Sequence, residues 1–149
     1  MSSVWENYPA DLILKQILVP GGAFRASHGS QHSKNRFLFI LNVTPVQDAV
    51  LMVATSTTQF EHNRSKWPST VLVDIAPCDY ASLKEPSLIN CEFIEKWDKQ
   101  RDLIEKINAQ RVQPLEPLPE NVLTRIRDAV RQCRRLSSFE KRMILGDES

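Results

Sequence analysis

Residues 28–42, HGSQHSKNRFLFILN, gather His28, His32, Lys34 and Arg36 in a polar run that turns abruptly into the apolar series Phe37, Leu38, Phe39, Ile40 and Leu41. A polar loop fixed at one end by a rigid strand is a common location for chemistry. An imidazole of unperturbed pKa about 6.5 can act as general base or general acid near neutral pH. A long hairpin with two surface histidines has the same pattern, and the residues alone leave both readings open. A second polar run, STTQFEHNRSKWP at 56–68, places Arg64 and Lys66 beside Phe60 and Trp67. Aromatic rings among cations can stack an unpaired base. A Trp directly before Pro68 can equally pin its loop to the body of the fold, which is the reading preferred for Trp67. Lys34, Arg64 and Lys66 suit phosphate-positioning contacts, or they are scattered surface cations without a role.

Those two runs need a scaffold, and composition bounds it. A chain of 149 residues fits one domain over 1–149 and can bury about 68–70% of its unfolded surface. Cys78, Cys91 and Cys133 are odd in number, contain no C-x-x-C pair and have no histidine spaced to complete a zinc site. A reducing cytoplasm, no metal and no cofactor are the resulting expectations. No apolar run approaches the ~18 residues of a membrane span, and the N-terminus lacks the pattern of a signal peptide. The net charge of +1 indicates no partner by itself. Residues 120–142 are locally basic through Arg125, Arg127, Arg131, Arg134, Arg135, Lys141 and Arg142. That face is either an ordinary solvated helix surface or one that attracts phosphate.

Apolar spacing supplies the elements. Ala10, Ile13, Leu14, Ile17 and Leu18 form a helical stripe within an N-terminal helix at 7–18, ended by Pro20-Gly21-Gly22. Strands are expected at 23–27, 36–42, 49–55, 70–75 and 87–94, with 56–68 as a loop and a short helix within 97–110. Val122, Ile126, Ala129, Val130 and Cys133 form the stripe of a C-terminal helix at about 119–136, followed by a tail at 137–149. Alternation predicts Phe37, Phe39, Leu41, Leu51, Val53, Val71, Val73, Ile89 and Phe93 as sheet core, packed beneath Val122, Ile126 and Val130. The fold class is therefore mainly β (α+β): a small barrel or strongly curved antiparallel sheet, core about 20–118, with helices at both ends of the chain.

Three segments in this order resemble the MazF/PemK family of toxin endoribonucleases, whose fold is an SH3-like barrel. Gly29-Ser30-Gln31-His32-Ser33-Lys34-Asn35-Arg36, followed by FLFILN, is similar to the family's first loop and apolar strand. VATSTTQ, with Thr57, Thr58 and Gln59, matches its apolar strand ending in a Thr pair and Gln. Asn90-Cys91-Glu92, with Trp97-Asp98 beyond, occupies the position of its basic-Cys-Asp strand. Leu118-Pro119-Glu120 and Ile126 agree with the opening of the last helix. The likeness covers roughly 20–136, leaving the first helical segment and the tail as additions.

The resemblance implies metal-independent cleavage of single-stranded RNA, in which the ribose 2′-hydroxyl attacks the neighbouring phosphate. It further implies a homodimer and an acidic antitoxin protein as partner, folding as it binds a basic groove. Arg36 stands where the family places the guanidinium that stabilises the pentacovalent phosphate, a role suited to its planar, permanently charged fork. Two positions depart from the pattern: Gln31 stands in place of the loop glutamate, and Asn90 in place of the basic residue. The proton-transfer candidates are then Glu92, one methylene longer than the family's Asp, together with His28 and His32; Thr58 is a further catalytic candidate that could hydrogen-bond a phosphate or ribose. Gln31, Lys34, Thr57, Gln59, Arg64 and Lys66 are the candidate RNA contacts. Thr57 and Thr58 could instead merely end a strand with β-branched residues. A degenerate barrel that binds RNA or a protein without cleaving is the alternative, favoured by Gln31. A gyrase-poisoning toxin ranks third, because the chain ends Gly146-Asp147-Glu148-Ser149 without an apolar aromatic terminus.

Overall fold

The computed structural model describes residues 9–26 and 36–146. Its strands are β1 (Ala23–Ala26), β2 (Arg36–Ile40), β3 (Val50–Thr57), β4 (Leu72–Ile75), β5 (Ser87–Asn90), β6 (Glu95–Asp98) and β7 (Gln113–Leu115). The helices are α1 (Ala10–Ile17), α2 (Phe60–Lys66), α3 (Glu105–Asn108), α4 (Glu120–Gln132) and α5 (Ser138–Leu145), and a π-helical stretch Lys99–Ile104 leads into α3. The strands make one antiparallel sheet in the order β4-β5-β3-β2-β1-β7, with β6 also on β3. This is the α+β, curved-sheet class that the alternation predicts.

The curvature originates at β3. Its first half pairs with β6, Val50 opposite Asp98 through Val53 opposite Glu95, and its last residues pair with β5, Ser56 opposite Ile89 and Thr57 opposite Leu88. Between β5 and β6 the chain turns through a 3-10 segment, Cys91–Phe93. One long strand thus carries two short partners meeting at a kink. The strand expected over 87–94 is split there, and Phe93 is rotated out to 47% exposure instead of joining the core.

Both faces of the sheet are covered. On one face Phe39, Leu41, Met52, Ala54, Val73 and Ile89 pack against Val122, Ile126 and Val130 of α4 and Ile144 of α5. On the other, Phe24, Leu38, Ile40, Leu51, Val53 and Trp97 pack against Ile13 and Ile17 of α1 and Leu103 and Ile107. Leu51 and Val53, predicted beneath α4, therefore belong to the α1 face, and Phe37 is only partly buried. The segment after α1 turns back tightly: Gly21 adopts φ +78, and a Cβ on Gly22 would sit 1.8 Å from the Ile17 carbonyl oxygen. Asn42 is fully buried and completes the β2–β3 connection, donating to Val50 O at 3.0 Å and accepting from Met52 N at 2.6 Å.

Three elements differ from expectation. Residues 60–66, read as loop, form α2, anchored by Asn63: its amide donates to Gln59 O at 2.8 Å, and its side-chain oxygen accepts from Asn90 at 3.0 Å. Residues 113–115 add β7 to the edge of β1, with Pro114 opposite Phe24, a place where a missing N–H is tolerated. The tail contains α5, opened by a capping box in which Ser137 and Glu140 exchange side-chain and backbone hydrogen bonds.

Candidate active site

Arg36 begins β2 on the α1 face of the sheet, in line with Leu38 and Ile40. On β3 the same face runs Leu51, Val53, Thr55 and Thr57, and on β6 it carries Glu95 and Trp97. The apolar members of these rows are core. Their polar ends, Arg36, Thr55, Thr57 and Glu95, emerge together at one margin of that face.

There Arg36 and Glu95 form an ion pair bridging β2 and β6 across β3. Arg36 Nη1 donates to Glu95 Oε2 at 3.0 Å and Nη2 to Oε1 at 3.4 Å. The indole Nε1 of Trp97, a fully buried residue, donates to Glu95 Oε1 at 3.0 Å. The two charged side chains are 32% and 30% exposed, open enough for a ligand to touch both. Arg36 Nε is buried and has no hydrogen-bond partner among the described residues. Thr55 donates its hydroxyl to Phe37 O at 3.1 Å, and Thr57 Oγ1 accepts from Gln59 N at 3.2 Å.

Among solved structures, an endoribonuclease in complex with its cognate antitoxin, from a mycobacterial species, is similar at a TM-score of 0.51 and 14% identity. The match covers 76% of this chain and 91% of that one. A MazE–MazF complex from Deinococcus radiodurans is similar at a TM-score of 0.51 and 12% identity, covering 78% of this chain and 94% of that one. The fold is MazF-like. No family model matches the sequence, and no curated protein matches it.

Against the MazF-like fold, the candidate residues separate into groups. His28, Gln31, His32 and Lys34 lie outside the described residues, in the segment joining β1 to β2. Arg36 follows that segment directly and holds the exposed margin. Thr57, Thr58 and Gln59 form the end of β3 and the entry to α2; Thr58 and Gln59 are exposed, and the Asn63–Asn90 contact fixes the backbone beneath them. Asn90, a departure from the family's basic residue, is thus a buried structural link.

Glu92 has a different setting from the one expected. It is buried, and its carboxylate accepts the backbone N–H of Arg134 at 3.1 Å and of Arg135 at 3.0 Å, just past the end of α4. Its oxygens thus serve the main chain rather than Arg36. Arg64 pairs with Asp74 of the edge strand β4 at 2.7 Å and stacks over Phe60 at 4.9 Å. Lys66 is exposed at the end of α2. Neither is brought to Arg36. Trp67 is the pin preferred from sequence: it packs on the core, meets Phe93 edge-on at 4.8 Å, and lies under the Arg135 guanidinium at 4.8 Å.

Three arginines of the basic helix α4 have acidic partners. Arg125 pairs with Asp79 at 3.8 Å, Arg127 with Glu120 at 3.1 Å and Arg131 with Asp128 at 2.6 Å, which fits a solvated face. Among the described residues no cluster of three His, Cys, Asp or Glu side chains is arranged to hold a metal ion. Nor is any helix among them long and apolar enough to cross a membrane. The residue that sequence reasoning missed is Glu95. Alternation sets it on the same face as Trp97, but only the register of β6 and β2 on β3 brings it to Arg36.

Proposed function

We propose that this chain is a MazF/PemK-like toxin of a toxin–antitoxin or defence system, an endoribonuclease that cleaves single-stranded RNA in the cytoplasm without a metal ion. The observation that carries the reading is Arg36: within a MazF-like fold it stands half-buried at the start of β2, directly after the polar segment that is one of the three resembling the family. The 2′-hydroxyl of the substrate is the nucleophile, so the protein need supply only proton transfer and positive charge at the phosphorane. His28 and His32 are the loop's proton-transfer groups; Thr58, Thr57, Gln59, Gln31 and Lys34 are the nearer RNA contacts, and Arg64 and Lys66 more distant ones. The protein acts as a homodimer, and an acidic antitoxin segment restrains it.

The test is cleavage of a long single-stranded RNA by wild type and Arg36→Ala, in EDTA and in magnesium, with RNA binding measured in parallel. Wild type is expected to cut equally in both buffers. Arg36→Ala should lose about 10²–10³-fold in rate, the scale for removing one oriented transition-state donor, while binding weakens much less. Activity that disappears in chelator and returns with magnesium would overturn the mechanism. Undiminished cleavage by Arg36→Ala would overturn the site. A second reading, a domain that binds RNA or a protein without cutting, is favoured by Gln31 in the loop; it requires that wild type cut no RNA in either buffer.

A further inference from the structure

Resting on the ribonuclease reading, we propose that Glu95 is the catalytic proton acceptor, taking the 2′-hydroxyl proton of RNA whose phosphate is held by Arg36. The inference begins with the hydrogen-bond capacity of the pair. An ionised carboxylate offers about four lone-pair sites. Glu95 Oε1 uses two, for Trp97 Nε1 and Arg36 Nη2, and Oε2 uses one, for Arg36 Nη1. One site on Oε2 is left for an incoming hydroxyl. The guanidinium has five N–H donors. Two reach Glu95 and Nε is buried, so the second N–H of each terminal nitrogen remains for phosphate oxygens.

The neighbours make this a prepared group rather than a loose surface pair. Trp97 is fully buried between the sheet and α1, so its indole fixes the carboxylate from beneath without exposing it to displacement. The side chain is nonetheless 30% exposed, and Arg36 beside it 32%. A carboxylate and a guanidinium in contact also give differential stabilisation. In the resting site Arg36 already has an anionic partner. As the 2′-O–H proton passes to Oε2, the 2′-oxygen bonds to phosphorus and the P–O5′ bond breaks, the departing 5′-oxygen taking its proton from the general acid of the ribonuclease reading. Glu95 becomes neutral as negative charge builds on the phosphorane, so Arg36 exchanges one anion for another at the moment of reaction. An interaction that strengthens in the transition state lowers the barrier instead of merely tightening binding. Glu95 would thereby provide the carboxylate that Gln31 does not.

The experiment compares wild type, Glu95→Gln and Glu95→Asp for cleavage of single-stranded RNA across pH and for binding of a 2′-O-methyl RNA of the same sequence, which cannot react. Thermal unfolding of each variant is recorded alongside. Glu95→Gln keeps the shape and a hydrogen-bond acceptor for Arg36 but cannot take a proton. It should lower kcat by about 10²–10⁴-fold, bind the 2′-O-methyl RNA as wild type does, and lose the acid limb of the pH–rate profile. Glu95→Asp should recover part of the rate and restore that limb. Cleavage by Glu95→Gln at or above the wild-type rate would overturn the proposal, leaving Glu95 as a mask on Arg36. So would a fall in rate matched by equal losses of binding and melting temperature, which is the signature of a structural tie between β2 and β6. Wild type that cuts no RNA overturns the ribonuclease reading as well, whereas active wild type with active Glu95→Gln overturns this assignment alone.

Discussion

Titratable side chains in this molecule divide by what surrounds them. Glu92 within the kink and Glu95 just after it are three residues apart, yet one carboxylate faces main-chain amides after α4 and the other a half-buried arginine. The cysteines show the same dependence on setting. Burial pushes the Cys91 thiol far above its ordinary value, and burial with Glu92 close by pushes Cys133 up to about 12. A raised thiol pKa means that at pH 8 both are protonated, and the thiolate is the reactive form. Cys78 is exposed. A thiol-reactive dye at pH 8 should therefore label one cysteine rapidly in the folded protein and three in denaturant. Rapid labelling of two or more in the folded state would contradict the packing of α4 over β5. The sign carries over to stability: both thiols favour the folded state fully below the unfolded-state value of about 8.5, and that contribution is lost as pH rises beyond it.

Elements are held here by polar contacts as much as by apolar stripes. Glu92 joins the 3-10 kink to the chain after α4 by accepting two backbone N–H groups. Glu92→Ala leaves those partly buried donors unpaired and should cost about 1–3 kcal/mol in urea unfolding. Glu92→Gln keeps a carbonyl acceptor and should cost less. On the proposed ribonuclease reading, cleavage per folded molecule should survive both changes; loss of cleavage without loss of stability would return Glu92 to catalysis. Such contacts also explain what was legible from sequence. α1 and α4 were readable because their apolar residues recur at helical spacing, and β2 and β3 because short apolar runs end in breakers. α2 was not, since FEHNRSK has no apolar stripe and its anchor is the buried amide pair of Asn63 with Asn90. β7 was hidden by prolines that an edge strand tolerates. α5 could have been found from Ser137-x-x-Glu140, whose reciprocal hydrogen bonds are a sequence-level start signal. At the site, Arg36 was legible through the family resemblance, but its partner was not, because residues 36 and 95 meet only through the register of β3 with β2 and β6.

On the scale of the whole molecule, the sheet carries core on both faces, and this gives the N-terminal helix, expected from the sequence to be an addition, a structural role. A helix appended to a finished domain could be weakened at little cost. Here α1 lies on the face formed by Phe24, Leu38, Ile40, Leu51, Val53 and Trp97, the same face whose polar margin holds Arg36 and Glu95. Ile17 is fully buried in that layer, whereas Leu12 on the same helix is 51% exposed. Ile17→Ala removes buried methylene groups and leaves a cavity, so it should destabilise the protein by about 2–5 kcal/mol. Leu12→Ala should stay within about 0.5 kcal/mol of wild type. Because small domains have only about 5–15 kcal/mol of stability, Ile17→Ala should lower the melting temperature well before it abolishes folding. Urea unfolding of the two variants decides the matter: equal, small effects would make α1 an appendage, and the predicted inequality would make it one wall of the layer from which the Arg36–Glu95 pair emerges.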